Sequence, residues 1–200
     1  MNHKVLVFAK APVAGEVKTR LIPALGAKGA AALQRQLLHR TLQMTISSSI
    51  QTELWCAPAK NHPAFDEYHE RYNLAWENQR GSDLGERMSH AFSETLRSVD
   101  AAVLIGSDCP ELRKNYLHSA FEKLDQGDDV VLGPARDGGY VLIGLKQSLP
   151  ALFKNILWGS EQVLSDTREK IRALKLSWSE LPTLHDLDRP SDLKLFPGLI

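Results

Sequence analysis

The chain has 200 residues, of which 43% are hydrophobic and 24% charged, proportions that are ordinary for a folded globular domain. We therefore expect one domain over residues 1–200, long enough to bury roughly 70% of the surface of its unfolded chain. Lys plus Arg and Asp plus Glu number 24 each, so no overall field attracts nucleic acid or a membrane. A polyanion would have to be held by a local cluster or a metal.

The two cysteines, Cys56 and Cys109, show neither a metal-binding nor a disulfide spacing. No window approaches the ~18 apolar residues of a membrane span, and the N-terminus lacks a signal-length apolar run. We therefore expect a cytoplasmic protein that binds neither nucleic acid nor membranes. The sequence carries no signal for an oligomeric state.

The first predicted element is a strand over residues 5–9, a short apolar run typical of a strand buried on both faces. It leads into a loop, interrupted by a proline and by Gly15, that carries Lys10, Lys18 and Arg20. Open α/β sheets bind ligands at the carboxyl ends of their strands, and an anion there would meet backbone N–H groups and fixed positive charges. The succession of a buried strand, a loop with a proline and a glycine, and spaced cations favours phosphate binding. The alternative is a surface loop whose charges are solvated.

Two familiar phosphate-binding motifs do not fit this loop. A Walker A motif requires Gly-Lys-Ser/Thr after a glycine and four further residues, whereas Gly15 is followed by Glu16 and the residue five before it is Lys10. A dinucleotide fingerprint requires three glycines within six residues, and this loop has one. The loop is therefore neither a P-loop nor a Rossmann dinucleotide site.

Strands and helices alternate along the rest of the chain. The helix predicted first carries leucines at three- and four-residue steps, which make one apolar stripe. The predicted helices cover residues 27–49, 61–72, 116–124 and 160–174, with another that follows the 79–87 loop and ends at residue 97. The predicted strands after the first cover residues 53–57, 74–77, 101–107, 130–132, 140–145 and 176–181.

This alternation predicts an α/β fold with a mainly parallel sheet covered by helices on both faces, a three-layer αβα sandwich. The strands at 130–132 and 140–145 are joined by a short glycine-rich turn and form a candidate hairpin. We therefore expect a mixed sheet with at least one antiparallel strand.

Three aspartates form a candidate metal site. Asp108 comes just past a buried strand, which places it at the same sheet edge as Lys18 and Arg20. Asp186 and Asp188 lie two residues apart and would point the same way in an extended segment. An aspartate in the position of Asp108 could equally cap the next helix. Together, Asp108 and Asp188 would make an oxygen-rich site suited to Mg²⁺ or Mn²⁺.

A glycine-rich turn over residues 133–140 holds Asp137 beside the same edge, although turn chemistry alone explains Gly138 and Gly139. Arg87, near a helix start, is a second candidate phosphate contact. An ordinary capped helix start explains its segment at least as well. Trp158 is interpreted as a core residue.

Five segments in order carry a resemblance across essentially the whole chain. They resemble the small bacterial DUF2064 family, glycosyltransferase-A-like "transferase 1" proteins associated with radical SAM/selenodomain genes. The segments are Phe8-Ala-Lys-Ala-Pro-Val-Ala-Gly-Glu-Val-Lys-Thr-Arg-Leu21, Gly81-Ser-Asp-Leu-Gly-Glu-Arg87, Gly106-Ser-Asp-Cys-Pro110, Gly133-Pro-Ala-Arg-Asp-Gly-Gly-Tyr140 and Asp186-Leu-Asp188.

The resemblance implies the nucleotide-diphospho-sugar transferase fold of the GT-A type. More distantly, the chain is similar to phospholactate guanylyltransferases and molybdenum-cofactor nucleotidyltransferases. By position, Lys18 and Arg20 match the family's phosphate loop and Asp108 its metal-binding aspartate. Asp188, with Asp186 beside it, matches the late acidic position.

The predicted catalytic residues are Lys18, Arg20 and Asp108, and the predicted metal ligands are Asp108, Asp186 and Asp188. Lys18 and Arg20 are expected to contact phosphate and to contribute little to the core. The predicted nucleotide-binding residues are Ala9, Lys10, Gly15, Lys18, Arg20, Gly81, Arg87, Ser107, Asp137, Gly138 and Gly139.

These features predict a transferase that depends on Mg²⁺ or Mn²⁺ and acts on a nucleotide or nucleotide-sugar, with an unidentified acceptor. Residues 11–15 replace the glycine-rich turn of the usual nucleotidyltransferases, which favours sugar transfer. Nucleotidyl transfer with release of pyrophosphate is the alternative, because both reactions require the same phosphate cradle. A non-catalytic nucleotide-binding protein is a third possibility.

Overall fold

A mixed sheet forms the centre of the protein, whose residues 1–199 are described by a computed structural model. The strands are β1 (His3–Lys10), β2 (Gln51–Ala57), β3 (Ala75–Asn78), β4 (Ala101–Ile105), β5 (Val130–Pro134), β6 (Tyr140–Leu145) and β7 (Trp178–Glu180). The helices are α1 (Ile22–Ser47), α2 (Asp66–Arg71), α3 (Leu84–Thr95), α4 (Lys114–Asp125) and α5 (Val163–Ala173), with short 3₁₀ turns between some of them.

The seven strands lie in the order β3-β2-β1-β4-β6-β5-β7. Strand β6 runs antiparallel to both of its neighbours, β4 and β5, while the other neighbouring pairs are parallel. The predicted hairpin is therefore confirmed, and so is the mixed, mainly parallel sheet.

Helices cover both faces of the sheet, which confirms the three-layer arrangement. Leu38 of α1 and Phe121 of α4 pack in one buried cluster, together with Phe65 just before α2. Phe92 of α3 and Ile171 of α5 pack in the cluster on the opposite face. Among residues 1–199 no helix combines the length and the apolar character needed to cross a membrane.

Strand β1 occupies a central position because its side chains feed both cores. Val5 and Val7 belong to one buried cluster, whereas Leu6 and Phe8 belong to the other. Alternate side chains of a strand point to opposite faces, so a strand between two helix layers requires an unbroken apolar run. The predicted burial of this strand on both faces is confirmed.

The first helix begins five residues earlier than predicted. Gly26 has a non-helical backbone (φ 70°, ψ 165°), so α1 consists of a short turn that starts at Ile22, a kink, and a longer helix. Pro23 lies in the first turn, where its missing N–H has no helical partner to lose. The predicted span of 27–49 corresponds to the part after this kink.

A third, smaller core attaches the C-terminal segment to α1. Leu187 and Leu193 pack there with Leu21, Leu33 and Leu37. The backbone N–H of Leu187 also donates to the carbonyl of Asp108 at 2.8 Å, across the end of β4. The late acidic segment is thereby held at the edge of the sheet where β1 and β4 end.

Candidate functional site

A cleft of about 450 Å³ opens at the sheet edge where β1, β2 and β4 end and where β6 begins. This is the edge at which open α/β sheets bind ligands. Ten of the predicted site residues line the cleft, and they come from distant parts of the chain. They are Ala9, Lys10, Lys18, Arg20, Ser107, Asp108, Asp137, Gly139, Asp186 and Asp188.

Lys18 is a buried residue that ties three segments together. Its side chain is only 2% exposed, and its Nζ donates to the Leu187 carbonyl at 2.6 Å and lies 3.2 Å from Asp108 Oδ1. Its backbone adopts the left-handed conformation (φ 48°), which is uncommon outside glycine. The expectation that Lys18 contributes little to the core is therefore wrong. The residue holds Asp108 in place at the floor of the cleft.

Arg20 is the accessible cation of the same loop. Its side chain is 55% exposed and pairs with Asp188 Oδ2 at 2.5 Å. Asp188 Oδ1 also lies 4.0 Å from Lys18 Nζ. Asp192 orders this segment, because its Oδ2 accepts hydrogen bonds from the backbone N–H groups of Asp188 and Arg189. Asp188 thus stands between two cations, one buried and one open to solvent.

The surroundings of Asp186 disfavour the charged form of its carboxyl group. Burial is the main cause that raises its pKa to about 6, and the negative charges of Asp137 and Asp188 raise it further. The positive charge of Lys18 opposes this rise. Three carboxylates therefore crowd one side of the cleft, where additional positive charge would stabilise all of them.

We expect Asp186→Asn to stabilise the metal-free protein at neutral pH. The folded pKa of Asp186 lies above its ordinary value of 3.8, so its ionisation weakens folding as pH rises from about 4 through about 6. After discounting for the part of the group that water reaches, the gain at pH 7.5 is about 1–2 kcal/mol. Urea unfolding in EDTA at pH 4.5 and pH 7.5 measures it. A gain of equal size at both pH values would contradict the assignment.

The donor chemistry of the cleft fits a hard divalent cation. Asp108, Asp186 and Asp188 offer carboxylate oxygens, the ligands that Mg²⁺ and Mn²⁺ prefer. Within residues 1–199, no group of three or more His, Cys, Asp or Glu side chains is arranged so that it could hold a metal ion by itself. Mg²⁺ is commonly held by one or two carboxylates together with substrate phosphates and water, so an incomplete protein cage suits it.

The neighbouring thiol takes no part in such a site. Cys109 is buried, its Sγ donates to the His185 carbonyl at 3.2 Å, and burial raises its pKa to about 12. It is therefore protonated at neutral pH, whereas a metal ligand or a nucleophile would be the thiolate.

Four predicted nucleotide contacts do not line the cleft: Gly15, Gly81, Arg87 and Gly138. Arg87 Nε instead donates to the Gly81 carbonyl at 3.1 Å, within the start of α3. A Cβ on Gly81 would come within 2.7 Å of the Arg87 backbone nitrogen, and one on Gly138 within 2.2 Å of the Glu161 carbonyl oxygen. Close backbone packing explains these two glycines. A nucleotide contact by any of the four residues stays a prediction.

Two glutamines at the cleft were not predicted. Gln34 is a buried residue of α1 whose Nε2 donates to the Ser107 hydroxyl at 2.9 Å. Gln79 donates to the carbonyl of Trp55 at 2.9 Å and to that of Ala9 at 3.3 Å, which ties the ends of β1 and β2 together. A polar residue next to the leucine stripe of α1 was the available sequence signal for Gln34.

Apolar side chains complete the cleft on the side of α3 and α5. Met88, Tyr140, Trp158 and Val163 line it, with Leu84 exposed at its rim. The interpretation of Trp158 as a core residue is incomplete, because it packs against one core and also faces the cleft. The sequence contained no signal that would have separated these two roles.

Comparison with known proteins agrees with this architecture. The family model "Uncharacterized protein conserved in bacteria (DUF2064)" matches residues 39–160. A protein of Desulfovibrio desulfuricans G20 that bears the provisional name nucleotide-diphospho-sugar transferase is 30% identical, with a TM-score of 0.86 over 99% of this chain and 96% of its own. No curated protein matches the chain.

Two more distant structures share the fold. CMP:2-keto-3-deoxy-manno-octonic acid synthetase, solved with CTP, is 8% identical, with a TM-score of 0.61 over 100% of this chain and 98% of its own. Rv0371c of Mycobacterium tuberculosis H37Rv, solved with manganese, is 11% identical, with a TM-score of 0.55 over the whole of both chains. At these identities the likeness extends to the architecture alone.

Proposed function

The chain belongs to the DUF2064 family, and on that premise we propose that it is a divalent-metal-dependent glycosyltransferase that uses a nucleotide-sugar. The name of its Desulfovibrio relative supports a nucleotide-diphospho-sugar substrate. The CTP and the manganese with which the two distant structures were solved agree with a nucleotide and a divalent metal.

The charge balance of the cleft carries this proposal. The charged lining residues are five acids, Glu16, Asp108, Asp137, Asp186 and Asp188, and three bases, Lys10, Lys18 and Arg20. The two lysines are already engaged, since Lys10 Nζ donates to the Glu16 carbonyl at 2.7 Å and Lys18 Nζ to that of Leu187. Because the acids outnumber the bases, a diphosphate entering alone would be repelled. A diphosphate that enters with a divalent cation would be held, since the cation attracts both the carboxylates of the cleft and the phosphates.

Five of these charged groups then have a defined task. Asp108 and Asp188, with Asp186 beside them, would hold the metal, which when bound neutralises the diphosphate and stabilises its charge as it leaves. Lys18 positions Asp108 from below. Arg20, exposed at the mouth, turns from Asp188 to a phosphate oxygen by a side-chain rotation. None of these five side chains has to leave a hydrophobic core in order to perform its role.

The transfer itself is a displacement at the sugar. The acceptor oxygen bonds to the anomeric carbon, and the bond from that carbon to the diphosphate breaks with both electrons going to the diphosphate. The hydroxyl proton passes to a carboxylate of the cleft. Fixed positive charge around the leaving diphosphate lowers the barrier most, because negative charge develops there in the transition state.

The first loop favours sugar transfer over nucleotidyl transfer. Two of its backbone N–H groups are already used within the loop, since Val13 donates to the Ala11 carbonyl and Glu16 to the Val13 carbonyl. A triphosphate whose α-phosphate is attacked needs such donors pointing at its phosphates. Nucleotidyl transfer is the second candidate, supported by the CTP-bound relative.

We expect the two reactions to be separated by their products. Purified protein with Mn²⁺, a panel of nucleotide-sugars and a cell-extract acceptor pool should release a nucleoside diphosphate or, from a CMP-type donor, the monophosphate. With nucleoside triphosphates, pyrophosphate should not appear. Chromatography of the nucleotides and a pyrophosphate assay provide the measurements, with Asp108→Asn as the inactive control. Pyrophosphate without sugar turnover would reverse the proposal, and nucleotide binding without either product would indicate a non-catalytic protein.

A further inference from the structure

The apolar side of the cleft has no task in binding a diphosphate or a metal. It consists of Leu84 and Met88 of α3, Tyr140 at the start of β6, Trp158, and Val163 at the start of α5, which together we call the apolar wall. None of these five side chains is charged. Apart from Asp137, in the turn just before β6, the charged lining residues come from other segments, so the apolar wall and most of the charged groups form different parts of the cleft.

The two aromatic residues of the apolar wall turn their carbon atoms to the cleft. Tyr140 and Trp158 are both partly exposed, yet the Tyr140 hydroxyl and the Trp158 Nε1 are buried. Neither polar atom has a hydrogen bond of normal geometry within residues 1–199, although the Tyr140 hydroxyl lies near Thr167. Burying an unpaired donor costs stability, so this orientation is a feature that the surrounding packing enforces. What a ligand meets is therefore ring surface.

The backbone around Trp158 holds its ring in this orientation. Gly85 of α3 lies directly behind it, and a Cβ there would come within 2.6 Å of both the Trp158 Nε1 and the Phe153 carbonyl oxygen. The chain turns at Asn155 (φ 56°) and again at Gly159 (φ 83°), on either side of the tryptophan. The ring is thus fixed between a helix start and a tight turn.

The occupant of the apolar wall follows from the proposed function, on which this inference rests. The leaving diphosphate is placed at Arg20, Asp108 and Asp188, and the nucleoside is covalently attached to it. The sugar is attached to the other end of the diphosphate. Its hydroxyl groups require polar partners, which the apolar wall does not offer. For the nucleoside, the Gln79 amide lines the cleft on the far side of β1 from β6, because Gln79 follows β3. The reactant that is left for the apolar wall is the acceptor.

We propose that the acceptor carries its reactive hydroxyl on an aromatic or other flat apolar group, which packs against Tyr140 and Trp158. Aromatic rings prefer offset or edge-to-face contact with one another, and such contact adds to the gain from removing apolar surface from water. The hydroxyl end of such a molecule would then face the carboxylates at the floor of the cleft.

A matched pair of small alcohols tests this proposal. Saturation-transfer NMR is recorded with 4-phenylbutan-1-ol and with butane-1,4-diol, in the presence of Mg²⁺ and, in separate samples, UDP, CDP, ADP or GDP. We expect the aryl alcohol to bind about tenfold more tightly than the diol. Trp158→Ala should remove this preference, while Trp158→Phe should keep most of it. Leu157→Ala is the control, since Leu157 belongs to the same turn, is 69% exposed and does not line the cleft.

Three results would overturn the proposal: equal binding of the two alcohols, a preference that survives Trp158→Ala, or displacement of the aryl alcohol by a nucleoside diphosphate. The last would assign the apolar wall to the base. Binding of the nucleoside diphosphates is followed in the same samples, so failure of the proposed function is recorded separately. An aryl preference without any nucleotide binding would count against nucleotide-sugar chemistry and leave the apolar wall as a binding surface for aryl groups.

Discussion

Asp108→Asn is expected to reduce metal-dependent turnover by about 100-fold or more, a loss typical of removing one group that stabilises developing charge. The amide keeps the shape of the side chain, and its oxygen can still accept a hydrogen bond from Lys18 Nζ, which lies 3.2 Å from Asp108 Oδ1. It removes the negative charge that a divalent cation requires. The fold should therefore survive while metal-dependent nucleotide binding is lost.

Calorimetry with Mn²⁺ and the nucleotide that binds best measures the effect, with turnover recorded on the same preparations. Asp66→Asn is a suitable control, because Asp66 is an exposed carboxylate in the first turn of α2 and does not line the cleft. Equal metal-dependent affinity in Asp108→Asn and the wild type would exclude Asp108 as a metal ligand.

Lys18→Met is expected to cost roughly 1.5–3 kcal/mol of folding stability, the range for a hydrogen bond from a charged group. The change leaves the Leu187 carbonyl without its donor and Asp108 without its nearest cation. For a chain of this size, the melting temperature should fall by about 5–10 °C. The loss is moderated because the Asp108 side chain is half exposed and water can solvate it.

Arg20→Ala provides the matched comparison within the same loop. Its side chain is 55% exposed, so loss of the ion pair with Asp188 should change stability by less than about 1 kcal/mol. Nucleotide affinity should nevertheless fall about tenfold, because a charge-assisted hydrogen bond to phosphate is lost. Thermal unfolding measures the stability of both variants, and nucleotide titration measures their affinity. A stable Lys18→Met, or an unstable Arg20→Ala with unchanged affinity, would contradict these roles.

Much of the fold could be predicted because its signals are local. An apolar run such as residues 5–9 is short enough for a strand and too apolar for a surface, so the burial of β1 on both faces follows from composition alone. The boundaries of the predicted helices and strands were less accurate than their order. The predicted helix at 27–49 corresponds to the part of α1 after the kink at Gly26, and the short turn that starts at Ile22 was missed because Pro23 and Gly26 look like loop residues in the sequence.

The sequence by itself predicted a mixed, mainly parallel sheet and the edge at which Arg20 and Asp108 meet, because parallel strands end on one side. Tertiary structure alone decided that Lys18 is buried, since its partner Leu187 is 169 residues away in the chain. It also decided that Arg87 binds the backbone of its own helix start and that Trp158 faces a cleft. Strand and helix periods are set by neighbours in sequence, whereas burial and charge pairing depend on segments that meet only after folding.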